Sequence, residues 1–298
     1  MKKIFFALIV LVLAGFGIYY VMGNRAAAPA PVQEQPQQVQ EEATTTPVVQ
    51  TGPESVIGTS VEGNDIMAYH FGSGPQEVLF VGGIHGGYEW NTVFLGFKLV
   101  DYLKENPTLI PANQKVTVIP VLNPDGLKKV VGSAGRFSLD AVPSSESATV
   151  PGRFNGNNVD LNRNFDCDWQ ESGVWRNTPV SGGASAFSEP ESQALRDYVQ
   201  NNKPVAVVAW YSAAGGVFAS SCHNGVSAET RTILKAYADA SKYPAHDDFD
   251  FYEVTGDMVN WLAKVNVPAI SILLTNHTSI EWDKNLAGIQ AVLKHFAQ

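Results

Sequence analysis

The chain has 298 residues, of which 45% are hydrophobic and 16% charged. That is material for one large α/β domain and an extension. Its formal net charge is −9, with no basic patch interleaved with aromatics, which argues against nucleic acid as a partner. No Gly-rich loop ends in Lys-Ser or Lys-Thr, so a phosphate-cradling loop is also absent.

Taken in chain order, Lys2 and Lys3 precede an uninterrupted apolar run over residues 4–22. Such a run is long enough to cross a hydrocarbon core of roughly 30 Å. Two lysines before it and Arg25 after it favour the amino terminus inside. Residues 1–25 therefore read as a signal anchor, with the rest of the chain outside the cytoplasm. The alternative is cleavage near Ala26-Ala27-Ala28 and release. Residues 26–55 are rich in Pro, Gln, Ala, Thr and Glu without an aromatic. They cannot bury enough apolar surface to offset chain entropy, and read as an extended linker. Residues 56–298 are a suitable length for a single domain with one core.

Within that domain, strand-like runs occur at 66–71, 78–81, 116–122, 205–211 and 269–274. Helical patterns lie between several of them, which predicts an α/β sheet with helices on both faces. Ser188-Glu189-Pro190-Glu191 reads as a capping box with proline in the first turn. It should open a helix turning Leu195, Tyr198 and Val199 inward. Residues 131–158 read as a long loop. Cys167 and Cys222 could pair in an oxidising compartment, and sequence leaves that open.

The chemistry-bearing residues cluster where apolar runs end. The run 78–81 stops at Gly82-Gly83, and His85 and Glu89 follow before a helical pattern begins near Trp90. A ligand site belongs at such a strand-to-helix junction. Residues four apart in one helical turn share a face, so imidazole and carboxylate can converge on one metal ion. Asn123-Pro124-Asp125-Gly126 follows another strand. Further on stand Val159-Asp160-Leu161-Asn162-Arg163-Asn164-Phe165, Phe187-Ser188-Glu189-Pro190-Glu191, and Tyr252 with Thr255-Gly256 and Asn260-Trp261 behind it.

These five stretches, in this order, resemble the zinc carboxypeptidase family of the carboxypeptidase A type. The resemblance runs from about Gly58 to the carboxyl end. It implies a single domain with a mixed β-sheet flanked by helices on both faces. It implies His85 and Glu89 as the first two zinc ligands, with one residue more between them than the usual spacing. Asp160 is then the carboxylate that orients the ligand histidine. Asn162 and Arg163 are the clamp for a substrate carboxylate. Arg153 is the oxyanion arginine, with Arg136 a competitor in the same loop. Tyr252 is the mobile tyrosine that closes over a peptide.

Two positions depart from the family pattern. Tyr211 stands where the third zinc ligand, a histidine, belongs, and phenol is a poor donor because its pKa is near 10. Leu273 stands at the general-base glutamate, and general-base catalysis alone is worth about 10²–10⁴-fold. His223 and His277 are candidate substitutes as ligand and base; a local hydrogen bond is the simpler role for each.

Three readings follow. The first is a binding module for a peptide carboxyl terminus, with a peptidoglycan stem peptide among the candidates, weak zinc and impaired hydrolysis. The second is an active metallocarboxypeptidase with a rearranged site. The third, a membrane-tethered structural protein, would not need the clamp. Substrate preference stays open: Val259 points to an apolar side chain, Asp257 to a basic or diamino one.

Overall fold

The computed structural model describes residues 53–297. The expected anchor over residues 4–22, and the linker up to residue 52, lie outside the described residues. Among the described residues no helix is long and apolar enough to cross a membrane.

The strands are β1 (Glu54–Thr59), β2 (Asp65–Gly72), β3 (Gln76–Val81), β4 (Gln114–Ile119), β5 (Ser172–Trp175), β6 (Thr178–Ser181), β7 (Ala206–Ser212), β8 (Gly216–Ala219), β9 (Ala245–His246) and β10 (Ala269–Leu274). The helices are α1 (Trp90–Glu105), α2 (Pro124–Val131), α3 (Glu146–Thr149), α4 (Pro190–Asn202), α5 (Ala228–Ser241), α6 (Met258–Lys264) and α7 (Trp282–His295). Eight strands form one sheet in the order β1-β2-β4-β3-β7-β10-β8-β9, and β5 and β6 form a separate hairpin. β4, β3, β7 and β10 run parallel, whereas β1–β2, β2–β4 and β10–β8 are antiparallel. The sheet is thus mixed, as expected.

Strand alternation sorts the core into two layers. Val78, Phe80, Val208, Trp210, Ile270 and Ile272 face one side, where α1, α5 and α7 contribute Leu95, Leu99, Ile233, Tyr237, Ile289 and Val292. Leu79, Val81, Val207, Ala209, Tyr211 and Leu273 face the other, against Leu195, Tyr198 and Val199 of α4 and Met258, Trp261 and Leu262 of α6. Side chains of these sizes contribute about 1.5–3 kcal/mol each when fully buried. The central parallel strands, covered on both faces, therefore read as continuous apolar runs.

Three local expectations are corrected. β4 ends at Ile119 rather than at residue 122. Pro120 cannot donate to the ladder, and Leu122 N instead donates to Gly82 O at 3.1 Å beside the turn after β3. The N-cap of α4 is Glu189, without a side-chain cap bond. Ser188 Oγ turns to Glu189 Oε1, and Glu191 is drawn away to Val61 N and Asn155 Nδ2, so Pro190 alone of the box serves the helix start. β1 begins at Glu54, where composition still reads as linker, because its pairing to β2 supplies the order. The short strands β5, β6, β8 and β9 carry too few residues for a periodic signal.

Candidate functional site

β3, β7 and β10 are adjacent and parallel, so their carboxyl ends open on one edge of the sheet. His85 follows β3, Tyr211 and Ser212 end β7, and Leu273 lies near the end of β10. Tyr211 and Leu273 are register partners across the two strands. The two departures noted in the sequence are therefore neighbours in space.

The turn after β3 is a single 3-10 turn, Gly86–Glu89, wedged against α2 and residues 150–153. At Gly86, with φ +44°, an added Cβ would lie 2.7 Å from the Gly152 carbonyl oxygen. Only glycine lets the turn pack this closely. The turn brings His85 Nδ1 to 2.9 Å from Glu89 Oε1, while Nε2 lies 3.4 Å from Asp160 Oδ1. All three residues are buried. Yet neither ring nitrogen is aligned for a hydrogen bond, and Glu89 Oε2 has no partner among the described residues.

Asp160 also accepts Nε and Nη2 of Arg153 on Oδ2, at 3.0 and 2.8 Å. Burial alone would raise its carboxyl, but Arg153 and His85 together hold it well below the usual carboxylate range. Arg153 is thus committed to an ion pair. Its guanidinium lies over Trp175 at 4.5 Å and Tyr88 at 5.8 Å. Its competitor Arg136 pairs with Asp101 on the surface.

Asn162 is the hub of the opposite wall. Its Nδ2 donates to Asp257 Oδ2 at 2.9 Å, and its Oδ1 accepts Met258 N and the Tyr211 hydroxyl, the latter at 3.3 Å. Burial first, then Asp257 and Glu89, pushes the Tyr211 phenol well above its ordinary value. Asp257 caps α6 through Asn260 N and is raised by its burial. It reaches Asn162 because Gly256, at φ +63°, lets the chain pass against Arg163; a Cβ there would meet the Arg163 carbonyl oxygen at 2.1 Å. Arg163 is buried, with Nη1 donating to Asn162 O and Nη2 to Val174 O, and Nε unpartnered. Its guanidinium lies 5.8 Å from the ring centre of half-buried Tyr252.

These walls enclose a cavity of about 290 Å³ lined by Glu89, Arg153, Asn162, Arg163, Tyr211, Tyr252 and Leu273 among others. Glu89, Arg153, Asn162, Arg163, Tyr211, Tyr252 and Leu273 therefore reach one cavity, whereas His85, Asp160, His223 and His277 do not line it. Sequence reasoning missed Trp175, which lies over Arg153, and the acidic side chains Asp247, Asp248 and Glu253 on the wall. The only signal for the latter was the density of carboxylates and aromatics in residues 247–253.

His85 and Glu89 converge as two potential metal donors, with Glu89 Oε2 unpartnered, which is part of a metal site. A catalytic zinc takes three protein ligands. Tyr211 turns its neutral hydroxyl to Asn162 instead. His223 is 71% exposed and pairs with Asp168. His277 joins Tyr88 OH through Nε2 at 3.2 Å, with Nδ1 buried and unpartnered. Among the described residues, the one group of three or more His, Cys, Asp or Glu donors within 4.8 Å of one another is Cys167, Asp168, Cys222 and His223. Its sulfurs form the Cys167–Cys222 disulfide, Cα atoms 6.2 Å apart, so it holds no thiolate ligand. The residues in place do not fit a three-ligand catalytic zinc.

Residues 53–279 match the profile of the family described as zinc carboxypeptidase. Bacteriocin BCN5 of Clostridium perfringens is 29% identical over 163 residues, 53% of this chain and 16% of its own length. Carboxypeptidase Z of Rattus norvegicus is 30% identical over 37% of this chain and 17% of its own length. This chain thus spans under a fifth of the length of these relatives. The fold is similar to that of murein-tripeptide amidase MpaA from Escherichia coli O157, with TM-score 0.58 and 22% identity over 81% of this chain and 91% of that one. It is similar too to bovine thrombin-activatable fibrinolysis inhibitor, with TM-score 0.61 and 16% identity over 81% and 89%. On the family match, which covers most of the sequence, the chain belongs to the zinc carboxypeptidase family.

Proposed function

We propose that this protein binds the carboxyl end of a peptide, with hydrolysis impaired, on a domain tethered outside the cytoplasm by residues 4–22. The observation that carries the reading is the Tyr211 hydroxyl bonded to Asn162 where a third ligand belongs, with Leu273 beside it in register. Leucine cannot take a proton from water, and a phenol held neutral is a poor metal donor. The clamp, by contrast, persists. Each Nη of Arg163 carries two N–H groups, of which one is given to a backbone carbonyl, and Nε is unpartnered. A buried guanidinium with donors to spare matches a carboxylate. The murein-tripeptide amidase has the same fold, which makes a peptidoglycan stem peptide one candidate ligand.

One observation favours an active, rearranged site. His277 has a buried, unpartnered Nδ1 and sits in the field of both Glu89 and His85. The test measures zinc binding, peptide binding and release of carboxyl-terminal residues on the full chain. Peptide binding that weakens about tenfold or more in Arg163→Lys, without turnover, is the expected result. One equivalent of zinc at sub-micromolar Kd together with ordinary peptidase rates would overturn it.

A further inference from the structure

A second group of donors does not line the cavity. Cys167 and Asp168 lie between Phe165 and β5, and Cys222 and His223 follow β8. Each of the two loops thus brings one sulfur and one nitrogen or oxygen donor to the same place. One donor atom from each of the four residues lies within 4.8 Å of the others. Cys167 and Cys222 are buried, at 4% and 5% exposure, whereas the Asp168 and His223 side chains are 53% and 71% exposed. The sulfurs form a floor, and the carboxylate and imidazole form a mouth open to solvent.

A disulfide by itself needs neither an imidazole nor a carboxylate beside it. Yet Asp168 Oδ2 lies 3.7 Å from Cys167 Sγ, and Asp168 Oδ1 lies 2.9 Å from His223 Nε2. Thiolate, imidazole and carboxylate are all zinc donors, at about 2.0–2.3 Å from the ion. Around a tetrahedral ion at those lengths, neighbouring donor atoms stand about 3.3–3.8 Å apart. The four donors are already gathered closely enough for that. With the two Cα atoms 6.2 Å apart, the parted sulfurs reach such a spacing by rotation about their Cα–Cβ bonds.

We propose that Cys167, Asp168, Cys222 and His223 form a zinc site that loads when the disulfide is reduced. A dithiol reductant supplies two electrons and two protons. The S–S bond breaks, two thiols form on the protein, and the reductant closes to its own disulfide. Zinc then displaces the proton of each thiol to solvent, and takes the place of the direct contact between His223 and Asp168. The result is one loop tie with two forms. Cys167 O accepts Gly256 N at 2.8 Å, and Ser221 N donates to Asn260 Oδ1 at 3.1 Å, so both tied loops hold the segment around α6. The disulfide makes the tie under oxidising conditions, and zinc makes it under reducing ones.

The test titrates the full chain with cobalt(II), a spectroscopic stand-in for zinc, in oxidised and reduced forms. The chain is reduced with dithiothreitol until two thiols are counted after denaturation, then freed of reductant without oxygen. The reduced chain should take up about one equivalent, with a near-ultraviolet thiolate-to-cobalt band and the visible bands of a tetrahedral ion. The oxidised chain should show no thiolate band, which separates this site from His85 and Glu89. Zinc at a hundred times its Kd should raise the Tm of the reduced chain by roughly 5–11 °C. Asp168→Asn with His223→Asn removes the two exposed donors, and Asn tolerates the φ of +53° and +58° found there. The reduced double variant should bind cobalt about a hundredfold or more weakly, beyond the range for loss of partners that merely orient a ligand. A reduced chain without the thiolate band would overturn the proposal. So would a double variant with undiminished affinity, which would assign the binding to the sulfurs alone.

Discussion

Restoring the two departed positions together provides a test with an internal control. In Tyr211→His with Leu273→Glu, the replaced side chains are 6% and 9% exposed. Losing the buried leucine costs about 1.5–3 kcal/mol. The new carboxylate enters a wall that already holds Glu89 and Asp257, where burial has raised the Asp257 carboxyl. Without metal the variant should lose about 3–5 kcal/mol in all. At about 2–4 °C per kcal/mol for a domain of this size, that lowers Tm by roughly 6–20 °C. Zinc at a hundred times its Kd returns about 2.7 kcal/mol, or roughly 5–11 °C. Thermal denaturation with and without zinc should therefore show a large zinc-dependent rise in the variant and little in the native chain. A native Tm that climbs as steeply on micromolar zinc would mean that a third ligand is already in place, and would refute the reading of Tyr211. A variant indifferent to zinc would mean that the ligand geometry has drifted beyond these two residues.

Two other predictions concern stability. Cys167→Ser opens a covalent loop spanning a sequence separation of 55; the chain-entropy relation gives a loss of roughly 4 kcal/mol, read as a lower urea midpoint with a steeper slope, because the unfolded chain expands. His70 is held down to about 4, first by burial and then by Lys115. Its folded pKa lies below its unfolded value, so the unfolded chain binds the extra proton between pH 4 and 6.5. Stability should fall as pH drops through that window. The half-exposed ring limits the effect to about 1–2 kcal/mol after solvent screening. Denaturation of His70→Gln at pH 4.5, 5.5 and 6.5 should show a flatter dependence than the native chain, and identical slopes would contradict the assignment.

Motif order made the fold legible in the sequence. Buried parallel strands must be apolar throughout, so 78–81, 205–211 and 269–274 stood out, and all three lie at the site. The convergence of His85 with Glu89 was readable from spacing. The commitment of Arg153 to Asp160 was not, because it depends on how the loop of residues 153–163 folds over itself. The role of Asn162 as a hub joining Tyr211, Met258 and Asp257 spans more than ninety residues of chain, and no local pattern encodes it. The acidic wall was missed for a different reason. Asp248 and Glu253 look like ordinary solvated charges until the packing of Phe249 and Tyr252 turns their segment over the cavity.

Tyr211 and Leu273 are register partners on adjacent strands. A glutamate at 273 depends on a nearby cation. Once position 211 ceases to supply a metal donor, such a glutamate would be a desolvated carboxylate in a wall that holds Glu89 and Asp257, with Arg153 already paired to Asp160 and Arg163 the other arginine on the cavity wall. Removing one partner of a buried charge pair and leaving the other is among the costliest changes a core can suffer. Leucine at 273 avoids that cost, and its register partner Tyr211 satisfies its own hydroxyl on Asn162. The same hydrogen bond fixes the Asn162 side chain next to Arg163, so under the proposed reading Tyr211 would also stiffen the carboxylate clamp. Tyr211→Phe separates these effects: it leaves the metal position as empty of donors as before and frees Asn162. If stiffening matters, peptide affinity should fall about two- to tenfold, the range of one neutral hydrogen bond, with no change in zinc response. Unchanged affinity would mean that Tyr211 only fills space.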